Sequence, residues 1–165
     1  MRIGIMGDTH DHLPNIRRVV GRMNAEQVDL VLHTGDYIAP FVIPVLAGLE
    51  AGMVGVFGNN DGDRELLTVR CAEHPSLEIR GTFTEIDRDG RHIALLHGHD
   101  KGLLAATVQG GEYDLVVHGH THRGQVEKKE RTLVVNPGEV CGYLTGTPTC
   151  ALYDTETGAA VLVNL

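Results

Sequence analysis

Short apolar runs that end in polar loops alternate with helical patterns in the first half of the chain. Three of these runs predict buried strands: RIGIM (2–6), DLVLH (29–33) and MVGVF (53–57). Apolar residues at helical spacing from Leu13 to Met23 predict a helix, with Pro14 in its first turn. A shorter helix is predicted in the forties, and another over 63–70 with Asp63 as its N-cap. This alternation is typical of parallel β-α-β units.

The second half of the chain contains mostly strand patterns separated by turns. Two hairpins are predicted, 77–87 with 91–99 around RDG and 150–154 with 159–165 around TETG. Between them lie a short helix after Asp100 and two strand patterns, DLVVHG (114–119) and RTLVVNPG (131–138). The charged EKKER (127–131) predicts a solvated turn. Consecutive strands favour antiparallel pairing, so the whole pattern predicts an α/β fold with two packed sheets and outer helices.

Composition narrows the class of protein. The chain has 165 residues, of which 42% are hydrophobic and 22% charged, which predicts one globular domain over residues 1–165. The net charge of −8, the absence of Trp and the low aromatic content of 4% argue against a nucleic-acid partner. An acidic chain can still act on an anionic substrate when metal ions supply positive charge.

The cysteines and the apolar runs bear on location. Three cysteines without a C-x-x-C pair do not suggest a disulfide framework, so we expect a reducing compartment. The first residues, MRIGIMGDTH, contain no long apolar segment, and no run approaches the ~20 residues of a membrane span. We therefore expect a cytoplasmic protein without a membrane partner.

Polar side chains follow five of the predicted strands. They are Asp8 and His10, then Asp36, then Asn59 with Asn60 and Asp61, then His97 with His99, and finally His120 with His122. Each of these residues alone is an ordinary turn, cap or surface residue. In open α/β sheets, however, ligands bind beyond the carboxyl ends of the strands. We therefore expect these side chains to share one rim.

Asp, Asn and His together suit a particular class of metal site. They are ligands for Mn, Fe, Zn and Mg, and the set has no thiolate, which makes a structural zinc site of the cysteine type unlikely. Three His beside two Asp would serve a hydrolase with two metal ions held ~3.5–4 Å apart. Such ions lower the pKa of a bound water and neutralise charge on a phosphoryl group.

The ordered set GDTH, GD, GNND, HGH and GHTH resembles the calcineurin-like metallophosphoesterase superfamily, most closely its short bacterial and archaeal phosphodiesterases. The resemblance implies a four-layer α/β/β/α sandwich of two mixed sheets. It also implies two divalent metal ions, with Mn favoured and Ni, Fe, Zn and Mg as alternatives. The expected reaction is hydrolysis of a small phosphoester by in-line attack of a metal-bound hydroxide. Relatives of this size are commonly dimers or larger homo-oligomers.

The resemblance assigns roles to the rim residues. It implies that Asp8, His10 and His122 bind the first metal, that Asn59, His97 and His120 bind the second, and that Asp36 bridges the two. His99 is expected to support the ligands without binding metal, and Asp61 to do the same or to cap the following helix. Arg123 is expected to reach a substrate phosphate, although a surface role is as plausible from the sequence. His118 has no counterpart in the family motif and is expected to lie at a strand end.

Two positions depart from the family pattern. Asn60 stands where many relatives have His, and it is expected to contact the phosphoryl group. An amide can donate a hydrogen bond but cannot act as a general acid, which predicts weak hydrolysis of alkyl esters and faster hydrolysis of activated aryl diesters. Glu139 stands where close relatives often have Ser. It is expected to add negative charge at the rim and to restrict anionic substrates.

Alternative functions remain open from the sequence. A phosphomonoesterase or a nuclease could use the same site, and one eukaryotic retromer subunit of this branch serves chiefly as a scaffold. Because all seven expected ligand positions hold residues that can coordinate metal, we favour an enzyme. The other histidines, His12, His33, His74 and His92, are expected in turns or at the surface.

Overall fold

A computed structural model describes residues 1–165, and its strands form two sheets. The first sheet has six strands in the order β11 (Ala159–Asn164), β10 (Thr149–Asp154), β1 (Arg2–Met6), β2 (Leu30–His33), β3 (Gly52–Gly55) and β4 (Leu77–Ile79). The second has five strands in the order β5 (Phe83–Arg88), β6 (Arg91–Leu96), β7 (Leu115–Val117), β9 (Thr132–Asn136) and β8 (Gln125–Lys129). Both sheets contain parallel and antiparallel pairs.

Four α-helices cover the outer faces. They are α1 (Leu13–Ala25), α2 (Ile43–Leu46), α3 (Arg64–Ala72) and α4 (Lys101–Gln109), with a 3₁₀ turn at Pro40–Val42 before α2. Asp63 caps α3 as predicted, because its side chain accepts a hydrogen bond from the Leu66 amide at 2.9 Å. The imidazole of His12 caps α1 in the same way.

The alternation of side chains along β1 explains the layers. Ile3 and Ile5 are fully buried between the sheets, where they join Leu95 and Val117 in one apolar cluster. Gly4 faces the other way, towards α1, and a side chain there would overlap Met23. Helices α1, α2 and α3 pack on the outer face of the first sheet, and α4 packs on the second. The predicted four-layer α/β/β/α arrangement is confirmed.

Three details of the predicted strands are wrong. The segment 77–87 is not one hairpin arm, because Gly81 has a left-handed φ of +55° and divides it between β4 in the first sheet and β5 in the second. Strands β6, β7 and β9 are parallel rather than antiparallel, since the connections between them cross over. Residues 127–129 belong to β8, an edge strand whose outer side tolerates charged side chains.

The cysteines and the helices bear on two further predictions. All three cysteines are free and buried, as expected from their spacing. No helix combines the length and the apolar character that a bilayer crossing requires.

Candidate functional site

The predicted side chains meet at one end of the two sheets. Strands β1, β2 and β3 run parallel in the first sheet, and β6, β7 and β9 run parallel in the second, so their carboxyl-terminal loops can converge. Two close contacts connect side chains of the two sheets at this point. His97 Nε2 lies 3.4 Å from Asp36 Oδ2, and His122 Nε2 lies 3.4 Å from Asp8 Oδ1.

Asp8, His10 and His122 form a group that could hold one cation. Asp8 Oδ1 and His10 Nε2 are buried and have no hydrogen-bond partner in the protein, which leaves both free to coordinate a metal. The His122 ring donates from Nδ1 to Glu139 Oε2 at 2.7 Å, and its other nitrogen, Nε2, faces Asp8 Oδ1 at 3.4 Å.

A second group lies beside it around Asp36 and His97, with Asp8 shared between the groups. The His97 ring donates from Nδ1 to the Thr34 carbonyl at 2.9 Å, so Nε2 is unprotonated when the ring is neutral. That Nε2 lies 3.0 Å from Asn59 Oδ1. The ring of His120 lies 5.2 Å from the ring of His97, between centroids.

Asp36 lies between the two groups. Its Oδ2 is 3.3 Å from His10 Nε2 in the first group and 3.4 Å from His97 Nε2 in the second. The structure therefore brings all seven predicted ligand side chains into one cluster, with Asp36 at its centre.

The backbone at this cluster is unusual for residues other than glycine. Five of the seven predicted ligands have a left-handed φ: Asp8 (48°), His10 (40°), Asp36 (58°), His120 (69°) and His122 (61°). Such conformations carry a cost and concentrate at functional sites. The turns aim these side chains at one point instead of along their strands.

Gly119 allows a close approach between loops of the two sheets. A Cβ at this position would overlap the Thr34 hydroxyl and lie 2.7 Å from Asp8 Oδ2. The next residue, His120, donates its backbone N–H to the same Asp8 oxygen at 3.1 Å. The glycine of the GHTH motif therefore lets the β7 loop contact the β1 loop.

Negative charge dominates the site and its surroundings. Four carboxylates are buried: Asp8, Asp36, Asp61 and Glu139. The ion pairs of Asp8, Asp36 and Glu139 are made with His rather than with Lys or Arg. Buried anions without a permanent cation are costly. This surplus, together with the unpartnered atoms of Asp8 and His10, fits divalent cations bound at the site.

Protonation follows the same charges. Burial lowers the pKa of His10, but the nearby carboxylates of Asp36 and Asp8 outweigh it and raise the pKa to about 9. The pKa of His97 is raised for the same reasons. Burial would raise the pKa of the Asp36 carboxyl, yet its contacts with His10 and His97 hold that pKa well below its usual range. In the metal-free site, the carboxylates therefore favour the protonated forms of His10 and His97 at the place where cations would otherwise bind.

Asn60 and Asp61 both contact Asp36. The side-chain amide of Asn60 donates to Asp36 Oδ2 at 2.8 Å, and its backbone N–H donates to Oδ1 at 2.9 Å. Asp61 accepts hydrogen bonds from the backbone amides of Asp36 and Gly58, at 3.1 and 2.7 Å. Asp61 therefore supports the loop of Asp36, whereas Asp63 is the helix cap.

Three other predicted residues lie near the candidate ligands in the sequence. His99 is exposed, and its ring centroid lies 5.6 Å from that of His97. Arg123 is exposed and directly follows His122. His118 is buried at the end of β7, with Nδ1 3.2 Å from the Gly119 carbonyl oxygen, and burial lowers its pKa.

The expectation for Glu139 is wrong in one respect only: the negative charge near the rim is present, but the side chain that carries it is fully buried. It is hydrogen-bonded to His122, and a restriction of anionic substrates stays a prediction. Burial raises the pKa of a carboxyl, but hydrogen bonds from His122 and Thr145 lower that of Glu139 to about 2. The position of Glu139 after NPG predicted a loop and gave no sign of the donors that surround its carboxylate.

The expectation for His33 is also wrong. The ring is completely buried and stacks on Tyr37 with 3.9 Å between centroids. Its Nδ1 accepts a hydrogen bond from the Gly35 amide at 3.0 Å, and burial lowers its pKa to about 3. His33 thereby supports the turn that presents Asp36. The position of His33 at a strand end, directly before TGD, was the sequence feature that could have indicated this role.

Comparisons with known proteins agree with this geometry. A phosphodiesterase from Methanocaldococcus jannaschii is 43% identical over 156 residues, which is 94% of each chain. The solved structure of an archaeal phosphodiesterase matches with a TM-score of 0.95 and 41% identity over the full length of both chains. Vps29 from Entamoeba histolytica, solved in complex with zinc, shares the fold at a TM-score of 0.70 and 19% identity, over 100% of this chain and 98% of that one.

One family model also matches almost the whole sequence. It describes the calcineurin-like phosphoesterase superfamily domain, and it matches residues 1–158. The chain belongs to the calcineurin-like phosphoesterase superfamily.

Proposed function

We propose that the protein is a metal-dependent phosphodiesterase with a dinuclear metal centre. The observation that carries this proposal is the position of Asp36, whose Oδ2 lies 3.3 Å from His10 Nε2 and 3.4 Å from His97 Nε2. One carboxylate next to two groups of donors suits a bridging ligand. The 43% identical relative named as a phosphodiesterase supports the reaction class.

The ligand assignment follows the two groups. Asp8, His10 and His122 would hold one ion, Asn59, His97 and His120 would hold the other, and Asp36 would contact both. This donor set of oxygen and nitrogen accepts Mn²⁺, Ni, Fe, Zn or Mg, and of these we propose Mn²⁺ on the resemblance to the family. When bound, the ions activate a water molecule for in-line attack and neutralise charge on the phosphoryl group.

The protein's own groups would orient the substrate. The amide of Asn60 lies against Asp36 at the edge of the cluster, where it can donate a hydrogen bond to a phosphoryl oxygen. It cannot supply a proton to a leaving group, which favours esters whose leaving group needs none. Arg123, exposed after His122, is the cation we expect to contact the phosphate.

Asp36→Asn tests the dinuclear centre. We expect turnover to fall almost to zero, because a weaker bridging ligand affects both ions at once. Bis(p-nitrophenyl) phosphate hydrolysis with Mn, Ni, Mg and Zn provides the measurement, together with the metal content of the protein. Asp29→Asn is the matched control, since Asp29 contacts the Arg2 amide at the opposite end of β1. Wild-type rates in Asp36→Asn would rule out the bridge.

The same panel, extended to monoesters and oligonucleotides, separates the alternative activities. Preferred turnover of monoesters or of nucleic acid would replace the phosphodiesterase proposal. Metal-loaded protein that is inert towards every ester would favour a scaffold. We also propose that the chain forms a single domain over 1–165, that it assembles into a homo-oligomer and that it is located in the cytoplasm. Light scattering measures the oligomeric state.

A further inference from the structure

The carboxylate of Glu139 contacts two parts of the protein with its two oxygens. Oε2 accepts hydrogen bonds from His122 Nδ1 at 2.7 Å, from Cys141 Sγ at 3.1 Å and from the Leu144 amide at 3.2 Å. Oε1 accepts from the amides of Leu144 and Thr145 at 3.0 and 2.5 Å, and from the Thr145 hydroxyl at 2.7 Å. Glu139 is fully buried, so these donors replace the water that an ionised carboxylate would otherwise need.

The loop over residues 142–147, here called the 142–147 loop, depends on this carboxylate. It carries the two most exposed large apolar side chains of the protein, Tyr143 (61%) and Leu144 (73%). Glycines with left-handed φ lie near both ends, Gly142 at 73° and Gly146 at 73°. A segment with exposed apolar side chains has little packing of its own. The hydrogen bonds from Leu144 and Thr145 to Glu139 therefore help to tie it to the interior.

The 142–147 loop also lies beside the first group of candidate ligands. Tyr143 packs edge-on against the His12 ring, with 5.4 Å between centroids. Immediately before the loop, the Cys141 amide donates to the Asp8 carbonyl at 3.1 Å. A change in the hydrogen bond between Glu139 and His122 would therefore also affect the 142–147 loop, because only a few contacts separate them.

We propose that Glu139 is a positioning residue that couples the group Asp8, His10 and His122 to the 142–147 loop. With Oε2 it fixes the His122 tautomer, so that Nε2 faces Asp8. With Oε1 it orders the loop at the edge of the site. The inference rests on the proposed function, in which His122 binds a metal ion. Carboxylate partners of ligating histidines commonly change metal affinity ~10–100-fold.

Glu139→Ser tests both links, because a serine hydroxyl cannot reach the two sets of donors. Calorimetric titration with Mn²⁺ should show one of two ions bound ~10–100-fold more weakly, with the other unchanged. Hydrogen exchange of the metal-free variant should be faster at the Leu144 and Thr145 amides. Glu156→Ser, which changes an exposed carboxylate in the β10–β11 turn, should alter neither.

Thr145→Val tests the coupling itself by its effect on ion binding, since Thr145 touches no candidate ligand. The substitution removes the hydrogen bond to Glu139 Oε1 and two hydrogen bonds to Thr147 within the loop. We expect faster exchange in the loop and weaker binding of the same single ion, by a smaller factor than in Glu139→Ser. Wild-type exchange and two wild-type affinities in both variants would overturn the inference while leaving the proposed function intact. A wild-type protein that binds no divalent ion would overturn the proposed function itself.

Discussion

Among single residues, Asp36 and His10 show most directly how negative charge in the site is offset by a bound proton. The two side chains are 3.3 Å apart, and the Asp36 carboxylate keeps the His10 pKa near 9. Because this folded pKa is above the ordinary value of 6.5, the proton stabilises the metal-free fold fully below pH 6.5. That contribution is lost as the pH rises through 9. His10 therefore carries a proton at neutral pH until a cation displaces it.

Metal binding at pH 7.5 should release protons from this site. The proton on His10 must leave before Nε2 can coordinate, so we expect about one proton from His10 per first ion bound. The release should decline as the pH passes 9. Calorimetry in two buffers with different ionisation enthalpies measures it. The His10→Ala variant should release correspondingly fewer protons. A binding enthalpy that is the same in both buffers at pH 7.5 would contradict the expectation.

Asn60→His should change the choice of leaving group. A histidine at this position could supply the proton that an amide cannot, and general acids commonly contribute ~100-fold to 10,000-fold. We expect alkyl phosphodiesters to gain at least ~10-fold in kcat relative to activated aryl diesters. Steady-state kinetics on one ester of each kind measure the ratio. An equal gain for both esters would show that residue 60 does not act on the leaving group.

Among the elements, the loops that follow the strands determine the geometry of the site. The β7 loop contacts the β1 loop at Gly119, and His33 at the end of β2 supports the Gly35–Asp36 turn. The strands themselves supply direction and burial, while the turns supply the left-handed residues that aim the ligands inward. The site should therefore be more sensitive to changes in turns than to changes in helix faces.

Gly119→Ala should impair metal binding more than it impairs folding. The added methyl would displace Thr34 or the Asp8 carboxylate, at a cost of ~1–3 kcal/mol in unfolding free energy. We expect the first ion to bind at least ~10-fold more weakly, as judged by calorimetry, because Asp8 must move. Gly62→Ala is the matched control, since a Cβ there would meet nothing within 4 Å. Equal effects of the two variants would contradict this account.

The sequence predicted these elements unevenly, for physical reasons. Apolar periodicity located β1, β2 and α1, and the order of the polar loops indicated which residues share the rim. The sheet to which β4 belongs could not be predicted, because it depends on the backbone turn at Gly81 and on pairing with β3. Nor could the burial of Glu139, since its donors come from a loop with no periodic pattern.

In the whole molecule, the candidate ligands tie the two sheets together. Asp8, Asp36 and Asn59 come from the first sheet, and His97, His120 and His122 from the second. The chain has a net charge of −8, and four carboxylates are buried. Bound cations would therefore reduce repulsion and join the sheets at once.

Divalent metal should accordingly raise the melting temperature. A ligand at 100 times its Kd stabilises the fold by about 2.7 kcal/mol. For a protein of this size that corresponds to roughly 5–10 °C. Differential scanning calorimetry of chelator-treated protein, with and without Mn²⁺, measures the shift. Asp36→Asn should respond much less, and an unchanged melting temperature in wild-type protein under saturating Mn²⁺ would count against a site between the sheets.

The position of β1 in the first sheet has a consequence for synthesis on the ribosome. One neighbour of β1 is β2, which follows it closely, but the other is β10, where Ile3 pairs with Tyr153. One edge of β1 therefore stays unpaired until nearly the entire chain has been translated. Until Thr149–Asp154 emerges, an apolar strand edge is open to mispairing. Nascent chains halted before β10 should for that reason depend on chaperones.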